Sequence, residues 1–313
     1  MVLQYTNMER DKVIISGING FVGNHLAREL NNSGVEVVGV GQEDAVNPDI
    51  SNIVNEYHKA NLIEEWPETK QAKAVIHLAG LAAVGPSFEN PQRYINANSA
   101  MVTNLCEYYL KQESNPRIVL VSSGAIYDPN QSMPISESSE IGLSSPYAVS
   151  KVLNENQAKY YRGRGLDCVV VRPFNHIGPG QGRGFILPDL YDRLSNLGDE
   201  KTIVTGNMET RRDYTDVRDI VKAYGKLALA QTLKSNLYNI CSGKSYSGAE
   251  IFQKLKGSMD LGDVTFETDP SLIRPNDIPE IKGDNSRIQE ELGWQPEIDI
   301  DQTIGDFVKS KDF

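Results

Sequence analysis

The amino-acid sequence predicts an α/β fold: a doubly wound parallel sheet with a smaller C-terminal α/β lobe. Three observations carry that reading. Short β-branched runs, "KVIISG", "VEVVGVG", "NEYHKAN", "AVIHLAG" and "RIVLVSSG", recur through the first 120 residues, as strands covered on both faces do. The segments between them are long enough for the crossover helices that parallel pairing demands. Beyond Asn175 the texture changes to a glycine-rich stretch, "HIGPGQGRGF", followed by amphipathic segments.

In chain order, "KVIISG" forms the first strand and "GFVGNHLAREL" the first helix. "VEVVGVG" is the second strand, and the polar, turn-rich segment 42–55 is expected to be a loop. Three further strands lead to "SSPYAVSK", where Ser145 suits an N-cap and Pro146 the first helical position. "LDCVVVRPFN" is another strand. "ILPDLYDRLSNL" and "RRDYTDVRDIVKAYGKLALA" have helical spacing, "LYNICSG" reads as a strand, and Ser247 caps the helix in "SGAEIFQKLKGSM". The expected division is a dinucleotide-binding domain at 1–175, to which 213–242 returns, and a smaller lobe from 176–212 and 243–313.

Length and charge narrow the function classes. The 313 residues suffice for a large core, and a net charge of −11 without any Lys/Arg run argues against nucleic acid or an anionic membrane as partner. No stretch approaches the ~18 apolar residues of a membrane span, and the N-terminus lacks a secretory pattern, so the expectation is cytoplasmic. Cys106, Cys168 and Cys241 are widely separated and read as buried thiols. No metal site is expected.

"KVIISGINGFVGNHLAREL" places Gly17, Gly20 and Gly23 between a strand and a helix. Gly17 permits the tight turn, Gly20 lets backbone approach a pyrophosphate, and Gly23 allows close packing of the helix, whose N-terminus faces the anion. The sheet is therefore of the Rossmann type and the partner a dinucleotide, with Phe21 and Val22 in the same turn. After the second strand, the position that carries a ribose-binding carboxylate in NAD binders is Gly41. That vacancy, with Gln42 beside it, leans toward NADP. Glu43 taking the carboxylate's role with NAD is the alternative, since no arginine follows to bind a 2′-phosphate.

Tyr147 and Lys151 fall one turn apart on one helix face. A phenol with a pKa of about 10 exchanges protons poorly at neutral pH, and a neighbouring ammonium favours its ionised form. Ser123, at the end of "RIVLVSS", would reach the same substrate oxygen from the carboxyl edge of the sheet, where the glycine turn also lies.

With these motifs in place, the chain resembles the extended short-chain dehydrogenase/reductases of the nucleotide-sugar epimerase/dehydratase type. The resemblance is carried by "GINGFVG", "VIHLAGLAAVGPS", "VSSGAIY", "SPYAVSK", "RPFNHIGPGQG", "RRDYTDVRDIVKAY", "YNICSG" and "RPNDIPEIKGD". The later four are most similar to GDP-4-keto-6-deoxy-mannose reductases, and "HLAGLAAVGPS" is similar to UDP-galactose 4-epimerases. The resemblance implies Ser123, Tyr147 and Lys151 as catalytic residues, with Tyr147 and Lys151 also binding the cofactor. It also implies Leu78, Ala79 and Gly80 along the adenosine and pyrophosphate, Asn98 supporting the cofactor, and Phe174 near the nicotinamide. Asn61 and Leu62 would lie beside adenine, although the family usually has an aspartate there. For the nucleotide sugar it implies Ser123, Gly124, Ala125 and Asn175, with Arg212 and Arg274 clamping phosphate and Asp277 on a ribose hydroxyl. Asp216 and Asp219 read as structural, His176 as a supporting hydrogen-bond partner, and Arg211 as either solvated or bound. A homodimer through a four-helix bundle, near 92–111 and 146–162, is implied by resemblance alone.

The 4,6-dehydratases of this family carry an Asp-Glu pair where this chain has Gly124 and Ala125. Neither residue can move a proton, which excludes dehydration. Reduction of a C4 keto group on a GDP- or dTDP-4-keto-6-deoxyhexose is favoured over 4-epimerisation with tightly bound NAD. A non-catalytic dinucleotide sensor is the minor alternative, because it needs no tyrosine paired with a lysine.

Overall fold

The computed structural model describes residues 10–198, 200–273 and 278–311. From the N-terminus, β1 (Lys12–Ser16) turns into α1 (Phe21–Asn32), followed by β2 (Glu36–Gly41), β3 (Glu56–Lys59) and β4 (Ala74–His77). Next come α2 (Val84–Glu89), α3 (Pro91–Tyr109), β5 (Arg117–Val121), α4 (Pro146–Gly163) and β6 (Cys168–Pro173). The chain continues through β7 (Asn175–Ile177), α5 (Ile186–Ser195), β8 (Thr202–Thr205), β9 (Arg211–Asp216), α6 (Val217–Leu229) and β10 (Leu237–Ile240). It ends with β11 (Ser245–Ser247), α7 (Gly248–Ser258), β12 (Thr265–Thr268), β13 (Glu280–Ile281), α8 (Ser286–Leu292) and α9 (Ile300–Lys309). The 42–55 segment, expected as a loop, contains a 3-10 turn, Pro48–Ile50: Asn47 caps it and Ile50 is fully buried, so an apolar anchor orders an otherwise polar stretch.

The main sheet has the order β10-β6-β5-β4-β1-β2-β3, and every neighbouring pair is parallel. Alternation along β1 explains its double burial. Val13 and Ile15 face α1 and α6, packing in one core layer with Leu26, Leu30, Ile220 and Tyr224. Ile14 faces α3 and α4, joining Val102, Leu105, Ala158 and Tyr161 in the other. Strand order reverses between β1 and β4, which opens a crevice at the carboxyl ends of the strands where ligands bind in such sheets.

The smaller lobe packs α5, α7 and α9 around Leu187, Leu190, Phe252, Leu255, Ile304 and Phe307. Its strands are short: β9 pairs antiparallel with β11 and parallel with β7 and β13, and β8 pairs with β12. Ser247 caps α7 as expected, in a reciprocal capping box with Glu250. Ile288 and Trp294 return to the first core layer, so the chain after residue 243 also contributes to the dinucleotide side. All three cysteines are buried and unpaired. Among the described residues no helix is long and apolar enough to cross a membrane.

Candidate active site

The glycine turn admits no side chain at two points. Gly17 has φ +74°, and a Cβ there would sit 2.9 Å from the backbone nitrogen of Ala79. A Cβ on Gly23 would lie 2.4 Å from the Gly17 carbonyl oxygen. Gly20 is the N-cap of α1, and no side chain caps the helix there. The first-turn N–H groups, those of Phe21 and Val22 among them, are thus left for an anion. Phe21 stacks on His176 of β7, with centroids 6.2 Å apart, and His25 Nε2 lies 2.8 Å from the Pro179 carbonyl, which ties α1 to the glycine-rich loop after β7.

At the adenosine end, Gly41 closes β2 and Gln42 is exposed. A Cβ on Gly41 would be 2.8 Å from Oε2 of Glu43, so a carboxylate reaches this place from two residues downstream. Asn19 donates to that oxygen at 3.1 Å, and the Tyr57 hydroxyl donates to the Glu43 carbonyl at 2.8 Å. Asp44 instead pairs with Lys59. Asn61 accepts from Ile63 N and donates to Glu64, shaping the turn after β3. Leu62 is buried in the second core layer, so only its backbone can face a ligand.

The crevice floor is built from β4, β5 and α4. The Leu78–Gly80 loop follows β4, and its neighbour Leu81 is held by Asn98, whose Oδ1 accepts from Leu81 N at 2.8 Å and whose Nδ2 donates to Ser150 at 2.9 Å. Ser145 caps α4 by accepting from Ala148 N, with Pro146 in the first turn, as the sequence predicts. Tyr147 and Lys151 are both buried on this helix. Ser123 follows β5 and caps the 3-10 turn Gly124–Ile126. The three residues expected to react are therefore gathered at one place, with Tyr147 hydrogen-bonded to Ser123 and Lys151 beside its ring.

Their electrostatics differ from the expectation. Burial pushes the Tyr147 phenol up, with a hydrogen bond to Ser123 pulling the other way. The Lys151 ammonium stands 5.8 Å from the Tyr147 ring centroid and donates to the Val121 carbonyl at 2.8 Å, so its attraction does not outweigh the desolvation of the phenol. Burial also lowers Lys151 to about 8, opposed by the charge of Glu155. His77, hydrogen-bonded to Ser16 at 2.7 Å, is pushed down to about 3 by burial and by Lys151, which keeps it neutral.

Phe174, expected near the nicotinamide, is buried against Tyr127, Ile135 and Cys241. A Cβ on Gly124 would press on its ring at 3.0 Å. Ala125 and Asn175 are exposed. Arg212 donates to the carbonyls of Arg211 and Ile278. Arg211 pairs with Glu250 at 2.8 Å and donates to the Ser245 carbonyl, both contacts within the protein. His176 takes its expected supporting place, with Nδ1 3.2 Å from the Phe174 carbonyl and its pKa lowered by burial. Asp216 caps α6 and pairs with Arg218, while Asp219 accepts from Glu297 N and Ile298 N, both structural as expected. Arg274 and Asp277 lie outside the described residues.

Residues 14–307 match the family described as GDP-mannose 4,6 dehydratase. The chain belongs to that family. One relative is the GDP-6-deoxy-D-mannose reductase of Pseudomonas aeruginosa, 29% identical over 94% of each chain. Among solved structures, the UDP-N-acetylglucosamine 4-epimerase of Methanobrevibacter ruminantium, in complex with UDP-N-acetylmuramic acid, superposes with a TM-score of 0.84 at 25% identity over 97% of this chain and 99% of that one. MoeE5 in complex with UDP-glucuronic acid and NAD gives a TM-score of 0.83 at 26% identity, over 96% and 99%. The family places the chain among NAD(P)-dependent enzymes that modify nucleotide sugars, on a Rossmann-type fold.

Sequence reasoning missed the polar groups behind the cluster: Ser16 with His77, and Ser122 with Glu155 and Arg172. A glutamate one turn after Lys151 on the same face was the available signal for the second set.

Proposed function

We propose that this protein reduces the C4 keto group of a nucleotide-activated 4-keto-6-deoxyhexose, with GDP or dTDP as the carrier. The dinucleotide supplies hydride when bound. Tyr147 gives its proton to the developing alkoxide, Ser123 donates a hydrogen bond to the same oxygen, and Lys151 holds positive charge behind the phenol. A phenol kept protonated by burial is already in the form that reduction needs. That protonated phenol carries the choice of reduction, and Gly124 packed against Phe174 argues against dehydration, since the aspartate a dehydratase uses there would press its Cβ on that ring. The reductase relative from Pseudomonas aeruginosa agrees with this reading.

The cofactor reading turns from NADP toward NAD. The Glu43 carboxylate, beside the Gly41 position and held by Asn19, suits a ribose 2′-hydroxyl and repels a 2′-phosphate. That same feature supports the second reading, a 4-epimerase that retains NAD. For oligomeric state we propose a homodimer through α3 and α4, where Leu153 and Tyr160 stand exposed along one helix. Purified protein is incubated with GDP- and dTDP-4-keto-6-deoxy sugars plus NADH or NADPH, and separately with UDP-glucose without added cofactor. Stoichiometric loss of reduced dinucleotide supports the reductase; isomer formation without net oxidation supports the epimerase.

A further inference from the structure

Behind the reacting cluster lies a buried polar network. Ser122 sits between Val121, whose carbonyl takes the Lys151 ammonium, and Ser123. Its hydroxyl donates to Oε1 of Glu155 at 2.5 Å. Glu155 is one helical turn beyond Lys151 on α4. Arg172 of β6 grips the same carboxylate through Nε at 2.9 Å and Nη2 at 2.6 Å. Nη1 of Arg172 donates to the Tyr127 hydroxyl at 2.8 Å, and the Tyr127 ring stacks on Phe174 with centroids 6.1 Å apart.

We propose that Glu155 is the positioning residue of the site: its carboxylate clamps the helix carrying Tyr147 and Lys151 to the strand end carrying Ser122 and Ser123, with Arg172 as its counter-charge. This rests on the reading of Ser123, Tyr147 and Lys151 as the reacting cluster. A buried ion pair is a poor source of stability, since apolar residues of similar volume often do as well. What this pair supplies is geometry. Val121 and Ser123 flank the clamped residue, so a slip of Ser122 displaces both the acceptor for Lys151 and the hydroxyl offered to substrate. Reaction rates are sensitive to displacements of about 1 Å.

Glu155 also faces Lys151 electrostatically, opposing the effect of burial. The other groups around the ammonium and its phenol are neutral His77 from β4, Tyr94 from α3, Tyr224 from α6 and Arg172 from β6 behind the carboxylate. Among the charge effects on Lys151, that of Glu155 is the one that favours the charged form.

The test compares wild type, Glu155→Gln, Glu155→Gln with Arg172→Met, and Ser122→Ala, each labelled with [15N]lysine. Lys151→Arg assigns the Lys151 signal. The NMR titration midpoint of Lys151 is expected to fall by about half a unit or more in the Glu155 variants and also in Ser122→Ala, because each releases the strand end whose Val121 carbonyl holds the charged ammonium. In turnover, Glu155→Gln and Ser122→Ala lower kcat about 10-fold while KM changes less than about 2-fold. The alkaline limb of the rate profile follows the midpoint. If Glu155→Gln alone does not fold around an unpaired Arg172, the double variant carries the comparison. A Lys151 midpoint that stays put in Ser122→Ala overturns the proposal, because the direct charge of Glu155 is intact in that variant. A midpoint that moves while the rate profile does not follow upholds the clamp and overturns the reactive role of Lys151. Should the wild type turn over none of the sugars, the titration still decides.

Discussion

In the parallel sheet, Val13, Ile14 and Ile15 are all fully buried, and two helical layers cover them. In the smaller lobe, β12 leaves Thr265, Glu267 and Thr268 exposed, and polar clamps do much of the organising. Asp213 on β9 accepts from the backbone nitrogens of Ser242, Gly243 and Gly283 and from the Ser242 hydroxyl, so one carboxylate gathers three segments. The contrast shows two ways of shaping a crevice. Apolar periodicity builds the dinucleotide wall, and directional hydrogen bonds join the short strands of the smaller lobe.

The sharpest way to separate the two halves is Phe252→Ala, which empties a fully buried site between α7 and its neighbours. It should cost about 4 kcal/mol of stability, seen in denaturant melts, while dinucleotide affinity of the folded fraction stays within about 2-fold. Gly23→Ala acts on the other wall. Its Cβ meets backbone on two sides, and overpacking of this kind costs about 2 kcal/mol; calorimetry should show dinucleotide binding weakened together with the melt. If binding is untouched, the close turn is not what holds the pyrophosphate.

Glu43→Ser probes the rim of the dinucleotide wall. Removing the carboxylate should raise the preference for NADP over NAD by about 10-fold, equivalent to about 1.4 kcal/mol, measured as a ratio of Kd values. Equal losses for both dinucleotides would mean that Glu43 shapes the loop without facing the ribose.

The smallest effect at neutral pH belongs to Lys151. Its pKa in the folded protein is about 8 against an ordinary 10.5. Turnover should therefore decline as pH rises through about 8. Stability moves the other way: between those two values the unfolded chain binds the proton and the folded one does not, so the Lys151 contribution rises with pH. Melting temperatures of wild type and Lys151→Met, compared across that window, should converge as pH rises.

Much of this was legible in the sequence. The strands KVIIS, EVVGVG and RIVLV announce themselves through β-branched runs, and Gly17, Gly20 and Gly23 announce the turn. The Ser145 and Ser247 caps were readable because N-caps obey local rules. What stayed hidden depends on contacts distant in sequence. Glu155 meets Arg172 across a helix and a strand, and Ile288 and Trp294 rejoin a core begun at Val13. The acidity of Tyr147 was also out of reach, because desolvation depends on how tightly the crevice closes around a phenol. A spacing rule places Lys151 beside it and says nothing of the water removed.

The most direct measurement follows a label. Wild type and Tyr147→Phe are each given a GDP-4-keto-6-deoxyhexose and NADH deuterated at C4 of the nicotinamide, and deuterium in the product is located by NMR. The account predicts one deuterium at the sugar C4 per dinucleotide oxidised, formed about 1,000-fold more slowly when the phenol is removed. Full-speed transfer by Tyr147→Phe, or deuterium that never reaches C4, would contradict it.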